Sequence, residues 1–213
     1  MKKYELVDYN EITNLYRVKA LKDFGSVKVG DIGGWIEKEE NLSHFDNAWV
    51  TENAQVYGNA QVYGDAKVSG EAQVTENAQV YGEAWVYGNA QVYGEAKVSG
   101  DAWVSDNAWV SDNAWVSGNA WVYSKAQVSG DAKVSGEAKV TGNAKVSGEA
   151  KVSGEAWVSD NAQVYGDAKV EKTSDYHIFK NNTTSTRYFT YTKSNDSWKI
   201  GCFYGTTEEL EKH

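Results

Sequence analysis

Seven of the nine tryptophans lie on one arithmetic grid: Trp49, Trp85, Trp103, Trp109, Trp115, Trp121 and Trp157 are separated by multiples of six residues. Trp85, Trp103 and Trp121 stand 18 apart. A fold that superposes every eighteenth residue would stack these indoles into a ladder, suited to burial against a partner or to stacking on a planar ligand such as a nucleobase. Tyr87 and Tyr123, two residues beyond Trp85 and Trp121, would flank it, and Trp109 and Trp115 would carry an aromatic belt around the same level. The same spacing aligns carboxylates into a ridge of Asp65, Glu83, Asp101, Glu137 and Glu155, with Asn119 completing the column. Carboxylates about 5 Å apart repel by roughly 1 kcal/mol per pair even in a water-like dielectric. A cation site is one use of such a ridge; a solvated edge balanced by Lys97, Lys133 and Lys151 is the plainer reading. Catalytic groups are sparse. The histidines are His44, His177 and His213, all outside the grid, and His177 between Tyr176 and Ile178 reads as a strand residue rather than a base. No metal-ligand cluster, nucleophile triad or phosphate loop is present, since the glycines recur every six residues instead of forming a GxGxxG turn. No cofactor is expected.

What positions these residues is a hexad repeat, Ala-x-Val-x-(Gly/Asp/Glu)-(Asn/Asp/Glu), running from Asn47 to Val170 without an insertion. Alanine occupies every sixth position from Ala48 to Ala168 and valine every sixth from Val50 to Val170, 21 of each. Residues two apart on an extended segment share a side, so each hexad turns one methyl and one β-branched side chain inward and its polar residues outward. Two residues of turn chemistry come next. Fourteen hexads carry Gly at the first turn position; where an acid replaces it, at Glu52, Glu76, Asp106, Asp112 and Asp160, the next residue is always Asn. Each corner is therefore expected to need one left-handed residue, supplied by Gly or by Asn. Ser124-Lys125 has neither, which predicts a local irregularity. A chain that bends after every short strand and stacks on itself one circuit later is a β-solenoid, in which no repeat buries its apolar face alone.

The aliphatic residue followed four positions later by a small one, as in Val50/Ala54 and Val56/Ala60, resembles the hexapeptide-repeat, left-handed parallel β-helix family. That resemblance implies an all-β, left-handed triangular coil with three hexads per circuit, hence about seven 18-residue coils and a rod roughly 34 Å long at about 4.8 Å per coil. Three exposed columns result: one of Trp49, Lys67, Trp85, Trp103, Trp121, Lys139 and Trp157; one mainly of glutamine with Trp109; and one of Gln61, Gln79, Lys97, Trp115, Lys133, Lys151 and Lys169. Residues 1–46 read as an N-terminal β cap and lead-in coil, 47–170 as the β-helix, and 171–213 as a C-terminal β-hairpin cap with a short helix. In the last segment Arg187–Tyr191 and Trp198–Phe203 flank the turn Ser194-Asn195-Asp196, and Thr206 with Glu209 forms a capping box. Both ends of a solenoid carry unpaired backbone groups that such caps would cover. The stretch Gly33-Gly34-Trp35-Ile36-Glu37-Lys38-Glu39-Glu40-Asn41-Leu42-Ser43, with the tail Tyr191–Asn195 and Gly201–Gly205, is similar to phage and prophage proteins of the hexapeptide-repeat, polymer-forming type.

Composition narrows the function. A formal charge of −9 argues against general binding to a nucleic-acid backbone. A single cysteine, Cys202, cannot make an internal disulfide. Glu5 and Asp8 stand where a secretion signal beginning Met1-Lys2-Lys3 would be apolar, so no signal or membrane span is expected and the cytoplasm is the expected compartment. The alternative implied by the fold family is an acyltransferase using acyl-CoA. That activity calls for a catalytic histidine and usually a loop breaking the coils, and neither occurs within the hexads. The expectation is a non-enzymatic binding or assembly scaffold. It would be a homo-oligomer, a trimer in the first instance, with a host protein or a nucleotide signal as candidate partner in an anti-defence role.

Overall fold

The computed structural model describes residues 2–180 and 188–212. From β4 (Trp49–Val50) to β24 (Lys169–Val170) the chain forms 21 two-residue strands that distribute onto three sides, each side seven parallel strands deep within the repeat. Strands three apart in sequence are neighbours: Trp85 pairs with Lys67 below and Trp103 above, Gln91 with Gln73 and Trp109, and Lys97 with Gln79 and Trp115. The circuit is therefore 18 residues and the three columns are as expected. Every repeat alanine and valine is buried, from Ala48 to Val170, so one dry core runs the length of the molecule. Before the repeat, β1 (Tyr4–Asn10), β2 (Leu15–Ala20) and β3 (Ile32–Ile36) form an antiparallel meander whose last strand joins the glutamine side in parallel through Trp35↔Gln55 and Ile36↔Val56. Ile36 and Leu42 fill the core of this lead-in coil, giving a solenoid of about eight turns.

The corners differ from expectation. The first corner residue is left-handed whether or not it is glycine: φ is 58° at Glu52, 61° at Glu76, 58° at Asp106, 59° at Asp112 and 58° at Asp160, while the following asparagines are not left-handed. The acid makes a bond that glycine cannot. At every one of these corners but Asp160 the carboxylate accepts from the corner N–H of the next coil, Glu76 from Gly94 at 2.7 Å, Asp106 from Ser124 at 3.0 Å and Asp112 from Gly130 at 2.9 Å. Two of the partnering asparagines donate one coil onward, Asn53 to Glu71 at 2.8 Å and Asn113 to Asp131 at 3.0 Å. Ser124-Lys125, expected to be irregular, keeps the same path: Ser124 has φ 65°, and the ladder continues through Lys125 N to Gly142 O at 2.9 Å. The Asp106 carboxylate holds the corner that the serine alone would strain.

Backbone polarity dictates the chemistry of the two caps. Each coil donates its N–H groups to the carbonyls of the next, as in Trp49 N to Ala66 O at 3.0 Å and Trp85 N to Ala102 O at 2.9 Å. Through these bonds the leading end exposes mainly spare carbonyls and the trailing end mainly spare N–H groups, all of which need partners if buried. Donors cover the first end: Lys3 Nζ reaches Ala48 O at 2.7 Å and Phe45 O at 3.3 Å, and Tyr4 OH donates to Leu42 O at 2.7 Å. Hydroxyls cover the second, Thr173 taking Trp157 N at 3.1 Å, Thr190 taking Gln163 N at 2.8 Å, Ser194 taking Lys169 N at 2.6 Å, and Tyr176 both taking Ser159 N at 3.2 Å and donating to Trp157 O at 2.8 Å. The trailing cap is an antiparallel meander of β25 (Tyr176–Lys180), β26 (Tyr188–Thr192), β27 (Ser197–Ile200) and β28 (Phe203–Thr206), followed by α1 (Thr207–Leu210). Its β26–β27 hairpin turns at left-handed Asp196, and Thr206 and Glu209 make the expected capping box at 3.3 and 2.8 Å. Arg187, expected in that hairpin, lies outside the described residues, as do Met1 and His213. Burial lowers the Lys3 ammonium from 10.5 to about 8, against the pull of Asp46, and burial with Glu39 nearby raises the Tyr4 hydroxyl above its ordinary range.

Candidate functional site

The tryptophan side carries an ordered stack. Trp85 and Trp103 lie 5.4 Å apart with planes 5° from parallel, and Trp103 and Trp121 lie 5.0 Å apart at 4°. The spacing is the coil rise: parallel register leaves identical side chains one strand apart, so aromatic neighbours stack by construction. Ammonium groups close both ends, Lys67 Nζ 4.7 Å from the Trp85 ring centre and Lys139 Nζ 5.0 Å from that of Trp121. Ring faces are thus taken up inside the stack, and solvent meets a row of ring edges. Trp85 and Trp121 remain 39% exposed and Trp157, beyond Lys139, 49%. Trp49 is the exception in the column, 4% exposed, because Tyr4 and Phe24 of the cap pack edge-on against it.

Trp109 and Trp115 occupy the next two sides on the same turn as Trp103, both exposed; the Trp115 indole donates to Ser99 Oγ at 3.0 Å and has Lys133 at 5.9 Å. Tyr87 meets the Trp103 ring edge-on at 6.2 Å, and Tyr123 stands on the same corner column two coils on. Between them lies a hollow of about 210 Å³ bounded by Tyr87, Trp103, Ser105, Asp106, Trp121 and Tyr123. On the neighbouring corner Tyr63 and Tyr81 stack at 4.9 Å and 1°, and burial raises the Tyr63 hydroxyl above its usual range, with Tyr81 adding to the effect.

The acidic ridge forms the corner that leads into the tryptophan side, but it lacks the expected lysine balance. Among the described residues none of Asp65, Glu83, Asp101, Glu137 and Glu155 is ion-paired, and Lys97, Lys133 and Lys151 are likewise unpaired. Lys133 instead lies near the Trp115 ring, 5.9 Å from its centre, so adjacency in sequence does not become an ion pair. No group of three or more His, Cys, Asp or Glu among the described residues is placed to share a metal ion. His44 stacks on Tyr4 at 4.2 Å and its Nδ1 accepts from Lys3 N at 3.3 Å, while His177 is exposed on β25.

Sequence reading missed one feature. The loop between β2 and β3 overhangs the first coils of the tryptophan side and makes a half-open cleft of about 760 Å³, with Asp31, Glu52, Lys67, Glu83 and Trp85 in its walls. Only the break in periodicity before Asn47 signals a chain segment free to fold over the coils.

Comparison with known proteins bears on the repeat. A family model described as YdcK Beta solenoid repeat matches residues 54–70 and 78–94. The repeat is a β-solenoid repeat. No curated protein matches the chain. No helix among the described residues is long and apolar enough to cross a membrane.

Proposed function

We propose that this chain is a rigid, non-catalytic scaffold whose tryptophan side is an association surface, joining copies of the chain into a homo-oligomer. The observation that carries this reading is the cation-closed stack of Trp85, Trp103 and Trp121, continued by the exposed Trp157. A row of large apolar edges on a side that cannot flex is what a partner surface needs, because little conformational entropy is lost on docking. Self-stacking also argues that the indoles are not a platform for loose planar ligands. The unbroken hexads favour a scaffold over an acyltransferase, and the phage-type resemblance of residues 33–43, 191–195 and 201–205 makes the host cytoplasm the setting in which to look for further partners. Trp103→Gln with Trp121→Gln tests the surface, since glutamine fills equivalent positions elsewhere, as at Gln73 and Gln91, and preserves the coil. The double variant is expected to lose assembly with an unchanged far-UV spectrum. Incubation with acetyl-CoA and a panel of amine and alcohol acceptors is expected to release no free thiol; release dependent on the folded chain would replace this reading with the acyltransferase one.

A further inference from the structure

The corner column beside the tryptophan side reads Thr51, Ser69, Tyr87, Ser105, Tyr123, Thr141 and Ser159, one residue per coil. Its backbone is continuous, Tyr87 N to Val104 O, Ser105 N to Val122 O and Tyr123 N to Val140 O each being 3.0 Å. Two tyrosines therefore stand two coils apart with a single buried serine between them, 4% exposed. On the adjoining corner, where tyrosines occupy successive coils, Tyr63 and Tyr81 stack at 4.9 Å. At Ser105 the middle rung of such a stack is missing, Tyr87 turns edge-on to Trp103 with Ser105 covered, and a half-open hollow of about 210 Å³ lies against these residues. At about 30 Å³ per water this is room for one bicyclic ring. Trp103, Trp121 and Asp106 are among the residues that line it.

One polar group lining this hollow has spare capacity, and one cation follows two residues after its Tyr123. Asp106 uses Oδ2 to accept from Ser124 N at 3.0 Å, and among the described residues no bond engages Oδ1. Lys125, one coil further along, is exposed and free of any ion pair among the described residues, and it is the one cation in a column otherwise made of Asn53, Glu71, Asn89, Asn107, Asn143 and Asn161. The Ser124-Lys125 corner, anomalous in the repeat, thus adds an exposed cation two residues after Tyr123 of the lining. A flat ring with adjacent N–H donors on one edge and an anionic substituent matches this arrangement: guanine offers two donors to a carboxylate, adenine lacks that pair, and a phosphate answers the lysine.

We propose that the hollow binds the base of a guanine nucleotide at the level of Ser105, between Tyr87 and Tyr123, with the N–H edge toward Asp106 and the phosphate toward Lys125. The proposal rests on the binding-scaffold reading and gives it a small-molecule ligand. Stacking is worth enough per base for a measurable complex without any further cleft. The test is calorimetric titration of the full chain with GMP, AMP and UMP. GMP is expected to bind saturably and several-fold more tightly than AMP or UMP. Ser105→Tyr, which supplies the missing rung with the residue found one coil on either side, should keep the fold and weaken GMP at least about tenfold, since the hollow is then filled. Lys125→Asn should weaken GMP by roughly two- to fivefold and leave guanosine unchanged. Absence of saturable GMP binding up to about 5 mM, equal affinity for GMP and UMP, or undiminished binding by Ser105→Tyr overturns the site. Light scattering on the same samples separates the two ideas: an oligomer that dissociates with Trp103→Gln/Trp121→Gln but ignores GMP leaves the scaffold reading standing and removes only the nucleotide.

Discussion

At the scale of the residue, the corners show how a repeat tolerates left-handed positions without glycine everywhere. Gly94 has φ 71°, and a Cβ there would sit 2.7 Å from the backbone nitrogen of Asp112. Glu76 adopts the same conformation and offsets the strain through its bond to Gly94 N. Two substitutions at Glu76 should therefore diverge. Glu76→Ala loses the bond and keeps the strain, costing about 1 kcal/mol, while Glu76→Gly loses the bond, relieves a strain of about 1 kcal/mol and comes out near neutral. Melting temperatures of the two variants check this, and equal destabilisation would contradict it. The strict pairing of acid with Asn was legible in the sequence, yet its cause was not. Residue type pointed to asparagine as the left-handed residue, whereas the bond that decides the matter reaches a residue 18 positions away.

Elements at the two ends are matched to the polarity of the backbone they cover, and each match predicts a consequence. Thr190→Val keeps the shape of the trailing cap and leaves Gln163 N without its acceptor, so it should cost about 1–3 kcal/mol in thermal or urea unfolding. At the leading end the buried Lys3 has a folded pKa of about 8 against 10.5, so between these values the unfolded chain holds more protons and stability climbs as pH rises from about 8 toward 10. Above about 10 the trend reverses, because Tyr4, with its pKa raised by burial, stays protonated in the fold while the unfolded tyrosine ionises. Lys3→Met should abolish the climb between pH 8 and 10 in thermal melts; an identical slope in that variant would show that another group causes it. The existence of caps was readable from the strand-like ends, but the division into donors and acceptors was not. It depends on the direction in which the coils hydrogen-bond, which a hexad pattern leaves open.

For the molecule as a whole, the hexad carried nearly everything: Ala48 to Val170 face inward, 18 residues make a turn, and Trp85, Trp103 and Trp121 meet. The features that escaped the pattern lie where periodicity breaks, as with Trp49, buried under Tyr4 and Phe24, or where a neighbouring column matters, as with the unpaired ridge. The hollow at Ser105 was visible only as a serine among tyrosines until the corner column was superposed. A straight rod with a dry core and closed ends leaves its sides as the surfaces that meet other molecules, and the tryptophan side is the most apolar in edge. The direct test of that claim is the molar mass of the folded chain in solution, set beside that of Trp103→Gln/Trp121→Gln. A wild-type mass that is a multiple of 23.5 kDa and collapses to a single chain in the variant is the predicted result. The same mass for both proteins, monomeric or not, would contradict it.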